Sequence, residues 1–83
     1  MKKPLLLTLL MLPTGAAMAD IASGIQAYYA GNYEAARKEF TAAATAGSAE
    51  GKHLLASLYY QGHGVPRDLP RAVALFREAA IKL

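Results

Sequence analysis

Cysteine and tryptophan are both absent from the 83-residue chain, and charged residues make up only 18% of it. The missing cysteines remove disulfides, the usual support of small exported domains, so a domain here has to hold together by helix packing or by a partner. No apolar stretch approaches the roughly 20 residues that a membrane-spanning helix requires. The clearest such run, Leu5 to Leu12, is eight residues long, and Pro13 and Gly15 break any extension of it.

What the chain does have at its start is a pair of lysines, Lys2 and Lys3, then the uncharged run, then Ala17-Met18-Ala19. A basic segment, a short apolar segment and an A-x-A triplet of small residues together read as a cleavable secretory signal over residues 1–19, cut between Ala19 and Asp20. An uncleaved anchor is the weaker alternative, because the run is too short to span. No cysteine follows it, which excludes the lipid-anchored variant. The expected mature chain, 20–83, then works in the periplasm or as a secreted protein, with no stable membrane insertion after cleavage.

Losing Lys2 and Lys3 takes the basic residues from nine to seven against six acidic ones, and the formal charge from +3 to +1. So neutral a module has no electrostatic reason to bind nucleic acid or an anionic membrane. Its core is also expected to be marginal, since a domain of some 60 residues buries only about 60% of its unfolded surface.

No stretch shows the strict alternation of a strand, and the apolar spacing supports helices throughout. Gly, Pro, Asn and Ser punctuate four of them. The first runs from its cap Asp20 to Ala30, with Ile21, Ile25, Tyr28 and Tyr29 on one face, and ends at Gly31-Asn32. The second runs from Tyr33 to Ala46, with an apolar stripe of Tyr33, Ala36, Phe40, Ala43 and Ala44, and Gly47 as its C-terminal cap. Ser48 caps a third carrying Gly51, Leu55, Leu58 and Tyr59, which Gly62-His63-Gly64 stops. Asp68 caps a fourth, with Pro70 in its first turn.

Short connections make antiparallel hairpins over 20–46 and 48–83. The hairpins are related: Ala36, Phe40, Ala43 and Ala44 recur 36 residues on as Ala72, Phe76, Ala79 and Ala80. Tyr28-Tyr29-Ala30-Gly31 matches Tyr59-Tyr60-Gln61-Gly62 at an offset of 31, so the loop of the second hairpin is longer by five residues. A helix pair repeated at a period in the thirties marks an α-solenoid. The predicted fold is therefore all-α, two antiparallel hairpins stacked as a short solenoid, with Phe76 holding the same large core position as Phe40.

The second hairpin resembles the Sel-one-like repeat, a relative of the tetratricopeptide repeat. The resemblance covers Gly51 to Ala80 and rests on Gly62-x-Gly64-Val65-x-x-Asp68-x-x-x-Ala72 followed by Leu75-Phe76-x-x-Ala79-Ala80, with Leu55, Ala56, Leu58 and Tyr59 before it. Ala56 stands where that family usually has glycine, and Leu75 where it favours tryptophan. The first hairpin is similar to an ordinary tetratricopeptide repeat in Gly24, Gly31, Tyr33, Ala36, Phe40 and Ala43. The resemblance implies an adaptor that holds other proteins on a concave helical surface. A cysteine-rich subgroup of the family is linked to antibiotic-like ligands, and its cysteines are absent here.

Chemical signatures are scarce. His53 and His63 have no Cys, Asp or Glu at a metal-ligand spacing, so neither a metal nor another cofactor is expected; His53 reads as a helix-surface residue and His63 as a solvated loop residue. Ser48 and Ser57 lie outside any nucleophile elbow, and Asp68 needs only its position to serve as a cap. Arg67, Arg71, Arg77 and Lys82 read as a solvated face of the last helix. The chain is thus not expected to be an enzyme. In the pairs Tyr28-Tyr29 and Tyr59-Tyr60, neighbours point about 100° apart on a helix. One of each pair faces the core, leaving Tyr29 and Tyr60 as the candidate protein contacts, with ordinary partial burial as the alternative.

The expected function is therefore an exported adaptor that binds a protein or peptide non-covalently. The alternative is a structural subunit that self-associates as a homo-oligomer or completes a larger envelope assembly. Leu75, Phe76, Ala79, Ala80 and Ile81 span more than one side of the last helix, so some apolar surface there is expected to stay uncovered. Mass spectrometry of the exported product should find a chain beginning at Asp20; a product that retains Met1, or that fractionates only with membranes, would favour the anchor instead.

Overall fold

Each helix begins where a short polar side chain satisfies a backbone N–H that the helix itself cannot. The computed structural model describes residues 20–81, so the stretch over 1–19 expected to be a secretory signal, with its Ala19, and residues 82–83 lie outside the described residues. Helix α1 is Ile21–Tyr29, α2 Tyr33–Thr45, α3 Ala49–Gln61 and α4 Leu69–Ala80. The caps are Asp20, Asn32, Ser48 and Asp68, accepting from Ser23, Ala35, Gly51 and Arg71 respectively. Among the described residues there is no strand, and no helix is long and apolar enough to cross a membrane.

Two of the three turns are built without a spare residue. After α1, Gly31 at φ +83° lets its N–H reach Tyr28 O and the Asn32 N–H reach Ala27 O, at 3.0 and 2.8 Å. After α2, Gly47 and Ser48 repeat the pattern onto Ala44 O and Ala43 O. This is the Schellman closure of a helix end. Asn32 and Ser48 each therefore finish one helix with their backbone while starting the next with their side chain. The third turn is longer: Gly62 ends α3 in the left-handed region, and Asp68 N–H returns to Tyr59 O at 2.9 Å before capping α4.

The helices pack in chain order, α1 on α2, α2 on α3 and α3 on α4. Ala36, Phe40, Leu55 and Leu58 form the central cluster, with Ile25, Tyr28, Leu54, Tyr59, Val65 and Leu75 half-buried around it. Small residues set the spacing. A Cβ on Gly51 would lie 2.6 Å from Cβ of Ala43, so α3 sits against α2 only because that position is glycine. Phe40, 2% exposed, then fills the space that the small residues leave. Asp20 adds a polar tie, its N–H donating to Glu39 Oε1 at 2.9 Å, and Lys52 pairs with Glu78 at 3.6 Å between α3 and α4.

The 36-residue correspondence holds for the alanines and fails for the phenylalanine. Ala36 and Ala72 are both fully buried, and Ala43 and Ala79 both buried. Phe76, however, is only half-buried, its ring set edge-on to His53 at 5.2 Å. Phe40 is enclosed because α3 lies over it; among the described residues no helix takes that place over α4. The sequence-based assignment of Phe76 to the core is corrected accordingly, and the aromatic anchor of the core is Phe40. Phe40→Ala should cost about 3 to 5 kcal/mol and leave little or no cooperative melting transition in so small a domain. Phe76→Ala should cost roughly 1 to 1.5 kcal/mol, about half the value of a fully buried side chain, and keep a cooperative transition. Circular dichroism melts that coincide for the two variants would mean that the cores of the two hairpins are equivalent after all.

Candidate functional site

Because α1 and α3 both rest on α2, a groove remains between them, with Phe40 at its floor. Its volume is about 240 Å³, walled by Ile25, Tyr28 and Tyr29 from α1 and by Leu54, Ser57, Leu58 and Gln61 from α3. None of these side chains carries a charge. Their order along α3, Leu54, Leu58 and Gln61 with Ser57 beside them, follows i, i+4, i+7 spacing and brings them to one side of the helix. Ser57 is itself tied back, its hydroxyl donating to His53 O at 3.1 Å.

One end of the groove is closed by a polar junction between three segments. Tyr28 Oη lies 2.9 Å from Gln61 Oε1 and 3.1 Å from His63 Nδ1. A phenol has one proton and an amide oxygen only accepts, so Tyr28 donates to Gln61 and His63 donates from Nδ1 to the phenol oxygen. The ring of His63 is stacked on that of Tyr33 at 4.4 Å and 3°. Tyr33 in turn lies tilted against Tyr28 at 5.2 Å. Gly64, at φ +80°, admits the loop here, for a Cβ on it would stand 2.9 Å from that of Tyr33. His63 is therefore not the solvated loop residue that its glycine neighbours suggest. It pins the α3–α4 loop to the start of α2, and its partners lie 30 or more residues away in sequence, where no local pattern reveals them.

The two candidate contact tyrosines are placed apart. Tyr29 is 81% exposed at the lip of the groove, its ring edge-on to Tyr28 at 5.4 Å. Tyr60 is 52% exposed and does not line the groove; Arg67 lies over its ring at 5.9 Å and donates from Nε to its backbone oxygen at 3.1 Å. Asp20, the other residue of the expected cleavage position, caps α1. Residues that form much of the groove, Leu54, Ser57 and Gln61, carry no signal in the sequence beyond helical spacing.

Arg71 of the last helix is exposed and has partners of its own. Arg71 Nη1 donates to Tyr59 Oη at 3.0 Å with its guanidinium 5.1 Å from the Tyr59 ring centre, and it pairs with Asp68 at 3.9 Å. The bond to Tyr59 is the leading cause of an Arg71 pKa above the ordinary arginine value. Among the described residues no three His, Asp or Glu side chains come together as metal ligands would. The groove thus presents an apolar floor, aromatic faces and two neutral hydrogen-bonding groups, Ser57 and Gln61.

Tyr28→Phe removes the hydroxyl that joins Gln61 to His63 and should cost about 1 kcal/mol, whereas Tyr29→Phe, at an exposed ring, should fall within about 0.5 kcal/mol of the parent. Urea unfolding midpoints compare the two, and equal shifts would mean that the junction contributes nothing to stability. No family model, curated protein or solved structure matches this chain.

Proposed function

We propose that the chain is an exported adaptor whose two hairpins stack as a short α-solenoid and hold a protein or peptide segment in the groove between α1 and α3. The observation that carries this reading is the groove's lining: an apolar floor, exposed aromatic surface at Tyr29, and no charged side chain. Such a surface favours an uncharged, apolar stretch of the partner, anchored on an aromatic ring and oriented by the hydroxyl of Ser57 and the amide of Gln61.

Stacking as a solenoid is supported by helix contacts in chain order and by the paired burial of Ala36 with Ala72 and Ala43 with Ala79. Membership among Sel-one-like and tetratricopeptide-like repeats is supported by the Gly62-x-Gly64-Val65-x-x-Asp68-x-x-x-Ala72 pattern, in which both glycines adopt positive φ and Asp68 caps α4. Export rests on the leader over residues 1–19, with the periplasm as the first destination and secretion as the second. The reading is of non-covalent binding and not of catalysis. Tyr29 is its principal contact, and Tyr60, braced by Arg67, a second contact outside the groove.

Tagged protein incubated with an extract of cell-envelope proteins should retain a partner that Tyr29→Ala weakens by about tenfold or more, as expected of an aromatic anchor. Ser57→Arg, which sets a charge in the uncharged groove, should abolish retention with little change in melting temperature. Retention that survives both substitutions, and is lost instead with Tyr60→Ala, would move the binding surface out of the groove.

A further inference from the structure

Isolated helices shorter than about 12 to 15 residues are marginal in water, so α1, with nine, depends on what it packs against. It carries no charged side chain. It is seated on α2 at Gly24, where a Cβ would stand 2.7 Å from Phe40 Cε1 and 2.9 Å from Cβ of Glu39. Polar ties hold its two ends. Tyr28 Oη reaches Gln61 and His63 at one, and the N–H of the cap Asp20 donates to Glu39 Oε1 at the other.

The place of the Asp20 nitrogen is fixed by contacts that owe nothing to the residue before it. The Asp20 side chain accepts from Ser23 N at 3.2 Å, and its carbonyl oxygen accepts from Gly24 N at 3.0 Å. Glu39 is half-buried, and no salt bridge among the described residues includes it. Arg37, one turn away on the same helix, pairs with Glu34 instead. The carboxylate beside the start of α1 thus faces a backbone nitrogen with no cation to answer its charge.

We infer that Glu39 is the receptor for the amino group that processing creates, so that cutting the chain before Asp20 replaces a neutral hydrogen bond by an ion pair and tightens α1 onto α2. This rests on the reading of residues 1–19 as a leader cut between Ala19 and Asp20. Hydrolysis of that peptide bond adds one water, leaving a carboxylate on Ala19 and an ammonium on Asp20. The nitrogen stays where the cap holds it, 2.9 Å from Glu39 Oε1, and passes from one N–H to three with a positive charge. A hydrogen bond between ionised partners is roughly twice as strong as a neutral one. The carboxylate also offsets a cost, since an ammonium at this end of α1 opposes the positive end of the helix dipole. A cut one residue later would remove the cap, and a cut one residue earlier would leave Asp20 N a peptide nitrogen. Because Ile25, Tyr28 and Tyr29 of α1 form one wall of the groove, that wall is held most firmly in the processed chain.

Four chains test this: residues 20–83 with a free amine on Asp20, the same chain preceded by Ala17-Met18-Ala19, and each of the two with Glu39→Gln, which keeps an acceptor in place but removes its charge. In circular dichroism melts, Glu39→Gln should lower the midpoint of the 20–83 chain by about 2 to 6 °C more than that of the extended chain, the size expected of a partly solvated ion pair in so small a domain. Glu34→Gln, whose partner Arg37 lies within α2, should shift both chains equally. A 20–83 Glu39→Gln chain that fails to fold, beside an extended counterpart that melts cooperatively, is the same result in its extreme form. Equal shifts from Glu39→Gln in the two chains, or a larger one in the extended chain, would overturn the inference with the cleavage reading intact. An exported product whose first residue is not Asp20 would overturn it through that premise, and mass spectrometry detects this separately from the melts.

Discussion

The contact between Gly51 and Ala43 is the constraint on which the rest of the structure depends. A chain without disulfides and with one fully enclosed phenylalanine has little apolar bulk to bury, so its cohesion comes from backbones that approach closely enough for alanine and glycine to make full van der Waals contact. That approach fixes how far α3 stands from α2. It thereby fixes how deeply Phe40 is covered, and how wide a groove is left between α3 and α1. A methyl group at position 51 would push the helices apart and open the cluster around Phe40 from the side that has least to spare.

The polar junction works on the same geometry from the far end. Tyr28 belongs to α1, Tyr33 to α2, and Gln61 and His63 to the end of α3 and its loop. Their bonds hold in place the three segments that the small-residue contact brings near one another, and they supply a hydrogen-bonded closure at an otherwise apolar groove. The longer third turn, between α3 and α4, is what allows it, since its extra residues let His63 fold back over Tyr33.

Features set by neighbours in sequence are legible from the amino-acid order alone: the helix count, the caps Asp20, Ser48 and Asp68, the glycine turns, and the outward position of Tyr29 and Tyr60. They follow from short-range bonding and from the angle between successive residues on a helix. What is not legible depends on what lies across the fold. Phe76 has the same local sequence setting as Phe40, and only the presence or absence of a covering helix tells them apart. His63 reads as a loop residue until Tyr28 and Tyr33 come to it. Asn32 reads as a helix stop, and its second role as the cap of α2 emerges only with the turn that it closes. The groove is half legible: helical spacing alone singles out Tyr29, but Leu54, Ser57 and Gln61 become its wall only where α3 takes its place beside α1.

The turns at Asn32 and Ser48 bear on how the molecule would respond to a ligand. A connection in which one residue closes a helix and opens the next leaves few dihedral angles that are not tied by hydrogen bonds, so the relative placement of α1, α2 and α3 is narrowly held. The walls of the groove are then preset, and what adapts to a guest is the rotamer of an exposed ring such as Tyr29. Association on these terms forfeits side-chain entropy but little backbone entropy, which lets a modest contact area hold its guest more firmly than a hinged site of the same size would.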